Sequence, residues 1–364
     1  VLAGICQGLA LGSKYLALGG AAALGGWLVL RSLHLGWRAM LRSALLFGGT
    51  ALLVASPWYL RNLAWTGNPL YPLLFTPQDW SAERVALWTE YMRGFGVGQG
   101  VLDYLLLPLN LFLHHERYVS FMGSIEIPSP LFLLVFLLPF LHPSRPLRWL
   151  LEISGLMFAV WALGAQQTRF LLPIFPALSL LSSAVLLELA RWRLLKRTGP
   201  ALARGLAAGM LAVTLVYALI YALMIQPWRP LLGLEGRADF LRRIVRDYPG
   251  LETARRVLPA DAGVLMLWDG RGYYTDERFT PDIDHSQWTE LVMAHPSVDE
   301  LAAALRQRGV THLFFSLEDA DFILQHDPAG HHRRAAEFLL KQFRPACTRS
   351  LYRDEWVELL EVTC

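Results

Sequence analysis

Three basic residues stand where chemistry could be done at a membrane surface. Lys14 in "LGSKYLAL", Arg61 in "SPWYLRN" and Arg169 in "QQTRFLLP" each sit at the end of an apolar run. The stretch from Val1 to Gln78 holds neither Asp nor Glu, and no acid lies close in sequence to any of the three. A charge held in hydrocarbon costs about 2.5–3.5 kcal/mol on insertion scales, so such residues lie at the interface, are paired, or serve a function. The partner that fits is an anion from outside the chain, and a lipid-borne phosphate sits at this depth. Arg grips phosphate bidentately, and Lys meets it as a point charge. The plain alternative is that each side chain snorkels to the headgroups. Lys14 fits that alternative least well, because only Gly12 and Ser13 part it from one apolar run and Tyr15 opens the next.

Other constellations are weaker. "HHER" (His114–Arg117) offers two histidines and a carboxylate. Neighbouring helical side chains project about 100° apart, so both rings do not easily face one ion. "DIDH" (282–285) reads as an ordinary loop in preference to a cation contact, so no metal ligand is assigned. Asp103 in "VLDYLLL" is a lone acid and a candidate for acceptor contact, against the plainer reading of a structural hydrogen bond. "DGRGYY" (269–274) lacks the dinucleotide fingerprint and reads as a turn between strands. Of the three cysteines, Cys6 lies in an apolar run. Cys347 and Cys364 flank a terminal hairpin and are either a disulfide, as an oxidising compartment would allow, or two free thiols.

The elements that must position these residues follow from composition. The 364 residues are 54% hydrophobic and 17% charged, against roughly 25% charge in ordinary globular domains. Most acids lie after Leu234, so a membrane part precedes a soluble part. A formal charge of +3 with no basic stripe argues against nucleic acid. Apolar runs at 1–13, 15–30, 43–60, 128–142, 149–165, 170–190 and 205–225 are the candidate spans, about seven in number. Gly-rich "LGGAAALGG" in the second is a surface for close helix approach. Arg31, Arg38 and Arg42, then Arg145 and Arg148, then Arg191, Arg193, Lys196, Arg197 and Arg204 mark alternate loops as cytoplasmic. The loop 61–127 and everything after about 226 then lie outside. Within that loop "WTGNPLYP" is a turn, and residues 100–115 form an interfacial helix or a shallow re-entrant segment.

The expected architecture is an α-helical polytopic membrane domain, 1–225, followed by a small extracytoplasmic α/β domain, 226–364. In the latter "GVLMLW" (263–268) and "THLFFS" (311–316) read as strands. "SVDELAAALRQRG" (297–309) reads as an amphipathic helix ended by Gly309, and "TRSLYRDEWVELLEVT" as a terminal hairpin.

The stretches "GLALGSKYLAL", "SPWYLRNLAWTGNPLYPLLF", "PSPLFLLVFLLPFL" and "TRFLLPIFPALSLLSS", in this order, resemble the bacterial membrane glycosyltransferases of the C superfamily. The branch related to protein mannosyltransferases and aminoarabinose transferases is the most similar. The resemblance covers about residues 1–225 and continues into "RRVLPADAGVLMLWDGRGYY". It implies an enzyme of the bacterial inner membrane that moves a sugar from a polyprenyl-phosphate carrier to a lipid, glycan or protein acceptor on the outer face. It also implies that Lys14 and Arg169 lie near the carrier phosphate; Arg61 joins them by its motif and its face. Cations there would stabilise the leaving phosphate, and a carboxylate would act as general base on the acceptor. The family's catalytic acid falls in an outer loop that, by this alignment of motifs, precedes Val1, so the catalytic residue is unknown in this sequence. The superfamily is compatible with a divalent metal, but no residue here demands one, so no cofactor is assigned. Two rivals remain. One is a non-catalytic scaffold or lipid-phosphate-binding subunit whose soluble domain binds partners. The other is a transporter or polymerase, which should carry charges or broken helices near the midplane.

Overall fold

The computed structural model describes residues 1–72, 80–119, 128–191 and 198–364. Arg193, Lys196 and Arg197 and part of the loop 61–127 lie outside the described residues. Two units are present, Val1–Ser81 with Phe95–Gly209, and Ala82–Gly94 with Met210–Cys364.

The first unit is helical. Its closest contact joins Leu2–Ser13 to the long helix Trp37–Thr66. A Cβ on Gly4 would come within 2.5 Å of the Phe47 carbonyl, and one on Gly8 within 2.6 Å of that of Ala51. Small residues four apart let two backbones meet, and packing of this kind holds helices together where lipid competes for every apolar surface. The Gly-rich run in the next helix is close-packed at Gly19 as well, where a Cβ would come within 2.8 Å of Val160. Ala17–Ser32 packs along Arg145–Ala162, where Trp27 and Arg31 both donate to Glu152.

Among the described residues, length and composition single out three helices able to cross a bilayer: Trp37–Thr66, Thr168–Arg191 and Gly199–Ile225. The seven spans expected from the apolar runs are therefore not supported. Leu2–Ser13 has 12 residues, about 18 Å at the α-helical rise. Ala17–Ser32 has 16, about 24 Å. Pro130–Leu141 winds as a 3₁₀ helix of 12, about 24 Å at its longer rise. Arg145–Ala162 reaches 18 residues but carries Arg145, Arg148 and Glu152. A bilayer core is about 30 Å thick.

The helix Trp37–Thr66 passes through a π-turn at Leu45–Gly49 and over Pro57 before Gly67, left-handed at φ +68°, ends it. Arg61, expected just past a span ending at 60, is therefore inside the helix. Asn68 Oδ1 accepts from the Leu70 amide 2.9 Å away, closing the expected turn. Residues 100–115 do form a helix, Val101–Leu113, with Leu107, Asn110 and Leu111 buried and five leucines, among them Leu105 and Leu109, exposed.

The second unit is built on a five-stranded sheet of order β2-β1-β3-β5-β4, with β1 Val264–Leu267, β2 Phe279–Thr280, β3 His312–Ser316, β4 Thr348–Arg353 and β5 Val357–Val362. The strands β1, β2 and β3 run parallel, with Val264 opposite His312 and Leu267 opposite Phe315, while the β4–β5 hairpin is antiparallel. The expected parallel unit thus carries an antiparallel edge. Every residue of β1 and β3 is buried, as strands covered on both faces require. Between them Val298–Gln307 begins at a capping box of Ser297 and Glu300 and stops at Gly309, φ +69°. Cys347 and Cys364 are joined in a disulfide, Cα atoms 5.0 Å apart.

A segment remote in sequence completes this unit. The helix Ala82–Arg93 buries Leu87 and Tyr91. Arg84 Nε donates to Asp284 Oδ2 at 2.8 Å, and a second guanidinium nitrogen reaches Oδ1. Tyr91 meets the rings of His285 and His326 edge-on, and a Cβ on Gly94 would strike the carbonyl of His326. The pair Arg84–Asp284 is largely out of water, and removing one partner of such a pair strands the other. Arg84→Ala is expected to weaken the docking by about 3 kcal/mol, the low end of the range for a buried pair. Amide exchange of residues 82–94 in the full chain should then accelerate roughly 100-fold; exchange unchanged from the parent protein would rule the clamp out.

Candidate functional site

Of the three cations singled out above, two come together. Lys14 follows the helix Leu2–Ser13 in an extended conformation, so its side chain leaves the helical ladder. Its Nζ lies 5.1 Å from the centroid of the Phe170 ring, and the Arg169 guanidinium lies 5.2 Å from the same centroid. Two charges grouped about one ring are separated by at most about 10 Å, the sum of those two distances. Like charges so placed repel, and the ring quadrupole offsets only part of this. An anion between them would relieve both. Arg61 is placed differently. It is exposed and stacked on its own helix, 4.1 Å from the Trp65 ring and 5.1 Å from that of Trp58, the posture of an interfacial arginine in an aromatic belt.

The polar residues before Arg169 hold it in place. Gln166, Gln167 and Thr168 are all buried. Gln167 Oε1 accepts from Arg169 Nε at 2.8 Å, while its backbone carbonyl accepts from Trp161 Nε1 at 2.9 Å. Gln166 Nε2 donates to the Ala162 carbonyl, and the Thr168 amide donates to the Tyr118 carbonyl at 2.7 Å. Gln167 Nε2 and Thr168 Oγ1 are buried without a hydrogen-bond partner among the described residues. Such groups cost about 1–3 kcal/mol each unless something meets them. The knot is clamped by Tyr118, Trp161, Leu171 and Ile174 against Leu107 and Leu111 of the helix Val101–Leu113.

Beside it is an apolar cavity of about 200 Å³, walled by Phe132, Val135, Phe158, Leu171, Phe175 and Leu178 among others. Leu171 and Ile174, on the same 3₁₀ turn as Arg169, line this cavity. Apolar cavities of this size hold hydrocarbon in preference to water.

Asp103, the candidate for acceptor contact, does local work here. Its Oδ2 accepts from the Gly100 amide at 2.9 Å, capping the helix Val101–Leu113. His114 and His115 both face Glu116, at 3.8 and 3.7 Å, all on an accessible surface. The "DIDH" loop is a buried tie. Asp282 accepts from the amides of Trp268, Ser286 and Gln287; Asp284 takes Arg84; His285 Nδ1 meets the Trp268 carbonyl at 2.7 Å. Trp268 and His285 both have positive φ, and these bonds hold that unfavourable backbone in place.

A second charged cluster escaped the sequence reading. Asp269 follows β1, Asp319 lies in the first turn after β3, and Asp247 precedes the helix Tyr248–Val257. Among the described residues these are the three acids whose oxygens, all within 4.8 Å of one another, could share an ion. They stand at the carboxyl ends of parallel strands, where open α/β sheets place ligands. The cation there is the chain's own: Arg271 pairs with all three, Nε meeting Asp269 Oδ1 at 2.8 Å and Nη2 meeting Asp247 and Asp319. One positive charge cannot balance three negative ones. Burial, reinforced by Asp269 beside it, pushes the Asp247 carboxyl up to about 8. Burial likewise raises Asp319 to about 7. The signal in the sequence was the "WDGRGYY" turn, whose Arg271 needs acids that lie 24 and 48 residues away in either direction.

No protein-family model matches the chain, and no curated protein matches it significantly.

Proposed function

We propose that the chain is part of a membrane glycosyltransferase that takes its sugar from a polyprenyl-phosphate carrier. The observation that carries the reading is the grouping of Lys14 and Arg169 about Phe170 beside an apolar cavity. A carrier of this class has a long apolar tail and an anionic head, and the segment Thr168–Ile174 offers a group for each: Arg169 for the head, and Leu171 and Ile174 in the wall of the apolar cavity for the tail. The cations would stabilise the phosphate as it leaves, since charge grows on it when the sugar bond breaks. The guanidinium, steered by Gln167, suits two phosphate oxygens at once. A carboxylate acting as general base would deprotonate the acceptor's hydroxyl or amine.

In this reading the chain is multi-pass in a bacterial plasma membrane, with its C-terminal unit outside. The disulfide Cys347–Cys364 supports that side, because such bonds persist in oxidising compartments. The C-terminal unit would help to choose the acceptor.

A photoreactive polyprenyl phosphate tests the proposal on the full chain in lipid nanodiscs. Adducts are expected in Pro130–Leu141 and Arg145–Ala162, suppressed by unlabelled polyprenyl phosphate and not by the corresponding alcohol. Equal competition by the alcohol would mean that the cations do not read a phosphate, and the proposal would fail.

A further inference from the structure

The membrane helix Gly199–Ile225 does not run freely into the C-terminal unit. At its end the chain folds into a knee. Gln226, at φ +49°, breaks the helix; Pro227 begins a single turn, Trp228–Leu231; Gly233, at φ +71°, sends the chain back. The Leu232 amide donates to the Trp228 carbonyl and the Leu234 amide to that of Arg229, both at 2.8 Å. Arg243 then locks the knee from behind. Its Nη1 donates to the last helical carbonyl, that of Ile225, at 2.8 Å, and its other nitrogens hold Glu235 bidentately at 2.9 and 2.6 Å. Glu235 is nearly buried and also faces Arg229 at 3.9 Å.

The outside of this braced turn is apolar. Leu231, Leu232 and Leu234 are 83%, 70% and 68% exposed, and Trp228 is 37% exposed. Three leucines within four residues, all turned outward on a fixed backbone, have no route to fold back under the unit. Continuity with the preceding helix says what covers them. A helix of 27 residues with no buried surface in its apolar window ends at Ile225, and the knee follows at once. The nine residues 226–234 rise about 13 Å from that point if wound at the helical rise, and less once Gly233 turns the chain back, which keeps the leucines near the depth to which interfacial segments bury an apolar face. Tryptophan and arginine at the same place, Trp228 and Arg229, are the residue types that favour the headgroup layer. Arg237, exposed beyond the turn, has no ion pair among the described residues and adds a cation on the rim.

From these observations we infer that the knee, residues 226–234, is a bilayer-contact surface whose leucines and Trp228 insert into the outer interface. It thereby fixes how the C-terminal unit stands over the membrane. The partner is the lipid surface itself, met by Leu231, Leu232, Leu234 and Trp228 and, at its anionic headgroups, by Arg237. The inference rests on reading Gly199–Ile225 as membrane-spanning, and it is independent of the carrier-phosphate reading.

The test uses the full chain in nanodiscs with Cys6→Ser, leaving the disulfide intact. An environment-sensitive fluorophore is placed by Leu232→Cys, by Leu215→Cys in mid-helix, and by Asp261→Cys on the surface of the unit. All three positions are exposed, so labelling does not disturb a core. Lipids carrying a nitroxide near the headgroup should remove most of the emission from the Leu232→Cys protein and leave that of Asp261→Cys. Nitroxide deep in the acyl chain should quench Leu215→Cys. If Leu215→Cys is quenched by lipid while Leu232→Cys responds to aqueous iodide as Asp261→Cys does, the knee does not touch the bilayer. If neither is reached by lipid, the spanning reading falls and the knee's role with it.

Discussion

Lys14→Ala and Arg169→Ala should each lower sugar transfer from a polyprenyl-phosphate donor by roughly 100-fold or more, the usual cost of removing one preorganised group that stabilises developing charge. The loss should fall mainly on kcat, because the phosphate carries more charge once the sugar has left than before. Arg169→Lys keeps the charge but gives up both the fork and the hydrogen bond to Gln167 Oε1 at 2.8 Å, so it should recover only part of the activity. Gln167→Leu should resemble Arg169→Lys more than Arg169→Ala, since the guanidinium remains but is no longer aimed. Arg61→Ala is the control. Its guanidinium is already held by the rings of Trp58 and Trp65, and its loss should cost little transfer. Near-normal turnover in a folded Lys14→Ala, Arg169→Ala double variant would end the carrier-phosphate reading.

The second large effect belongs to the C-terminal unit. Arg271→Met removes the one cation from among Asp247, Asp269 and Asp319, all essentially out of water. Breaking a buried charge network by deleting one side costs about 3–5 kcal/mol, and the deficit should appear in the exchange of β1 and β3 amides. The pH dependence distinguishes this from simple loss of packing. For the parent protein, a carboxyl whose pKa is raised on folding contributes stability that is fully present below its unfolded value near 4. That stability is lost as pH rises through the folded value. With Asp247 at about 8 and Asp319 at about 7, the unit should be firmest near pH 4 and loosen progressively between about pH 4 and 8. Asp247→Asn, which cannot ionise, should flatten most of that slope and stabilise the unit at pH 8. In Arg271→Met the deficit should be smaller near pH 4, where Asp247 and Asp319 are protonated, and largest above pH 7. A deficit independent of pH would show that the cluster does not titrate as a unit.

Some of this was legible one residue at a time. Hydropathy marked where membrane helices run, because burial in lipid demands a continuous apolar stretch whatever the neighbours are. Ser297, Glu300 and Gly309 announced the ends of one helix, since capping is chemistry between residues three or four apart. The alternation around Cys347 and Cys364 placed the two thiols across a hairpin for the same local reason. The "QQTRF" segment was visible as anomalous, because buried glutamines beside an arginine contradict their surroundings in any fold.

The rest depended on distance. Whether a run of 12 apolar residues spans a bilayer or stops short depends on where its helix ends, and that is set by its packing against neighbours. The helix Trp37–Thr66 runs on past Arg61 and supplies the two rings, Trp58 and Trp65, on which that cation stacks. Only the tertiary structure could bring Lys14 and Arg169 to one ring across 155 residues, or strap Arg84 to Asp284 across 200. The same holds for Asp247, Asp269 and Asp319, each an ordinary acid in a polar stretch of sequence. Their significance comes from burial around a single guanidinium, where electrostatic energy depends on spatial separation and on the exclusion of water. Neither quantity is written in the order of the residues.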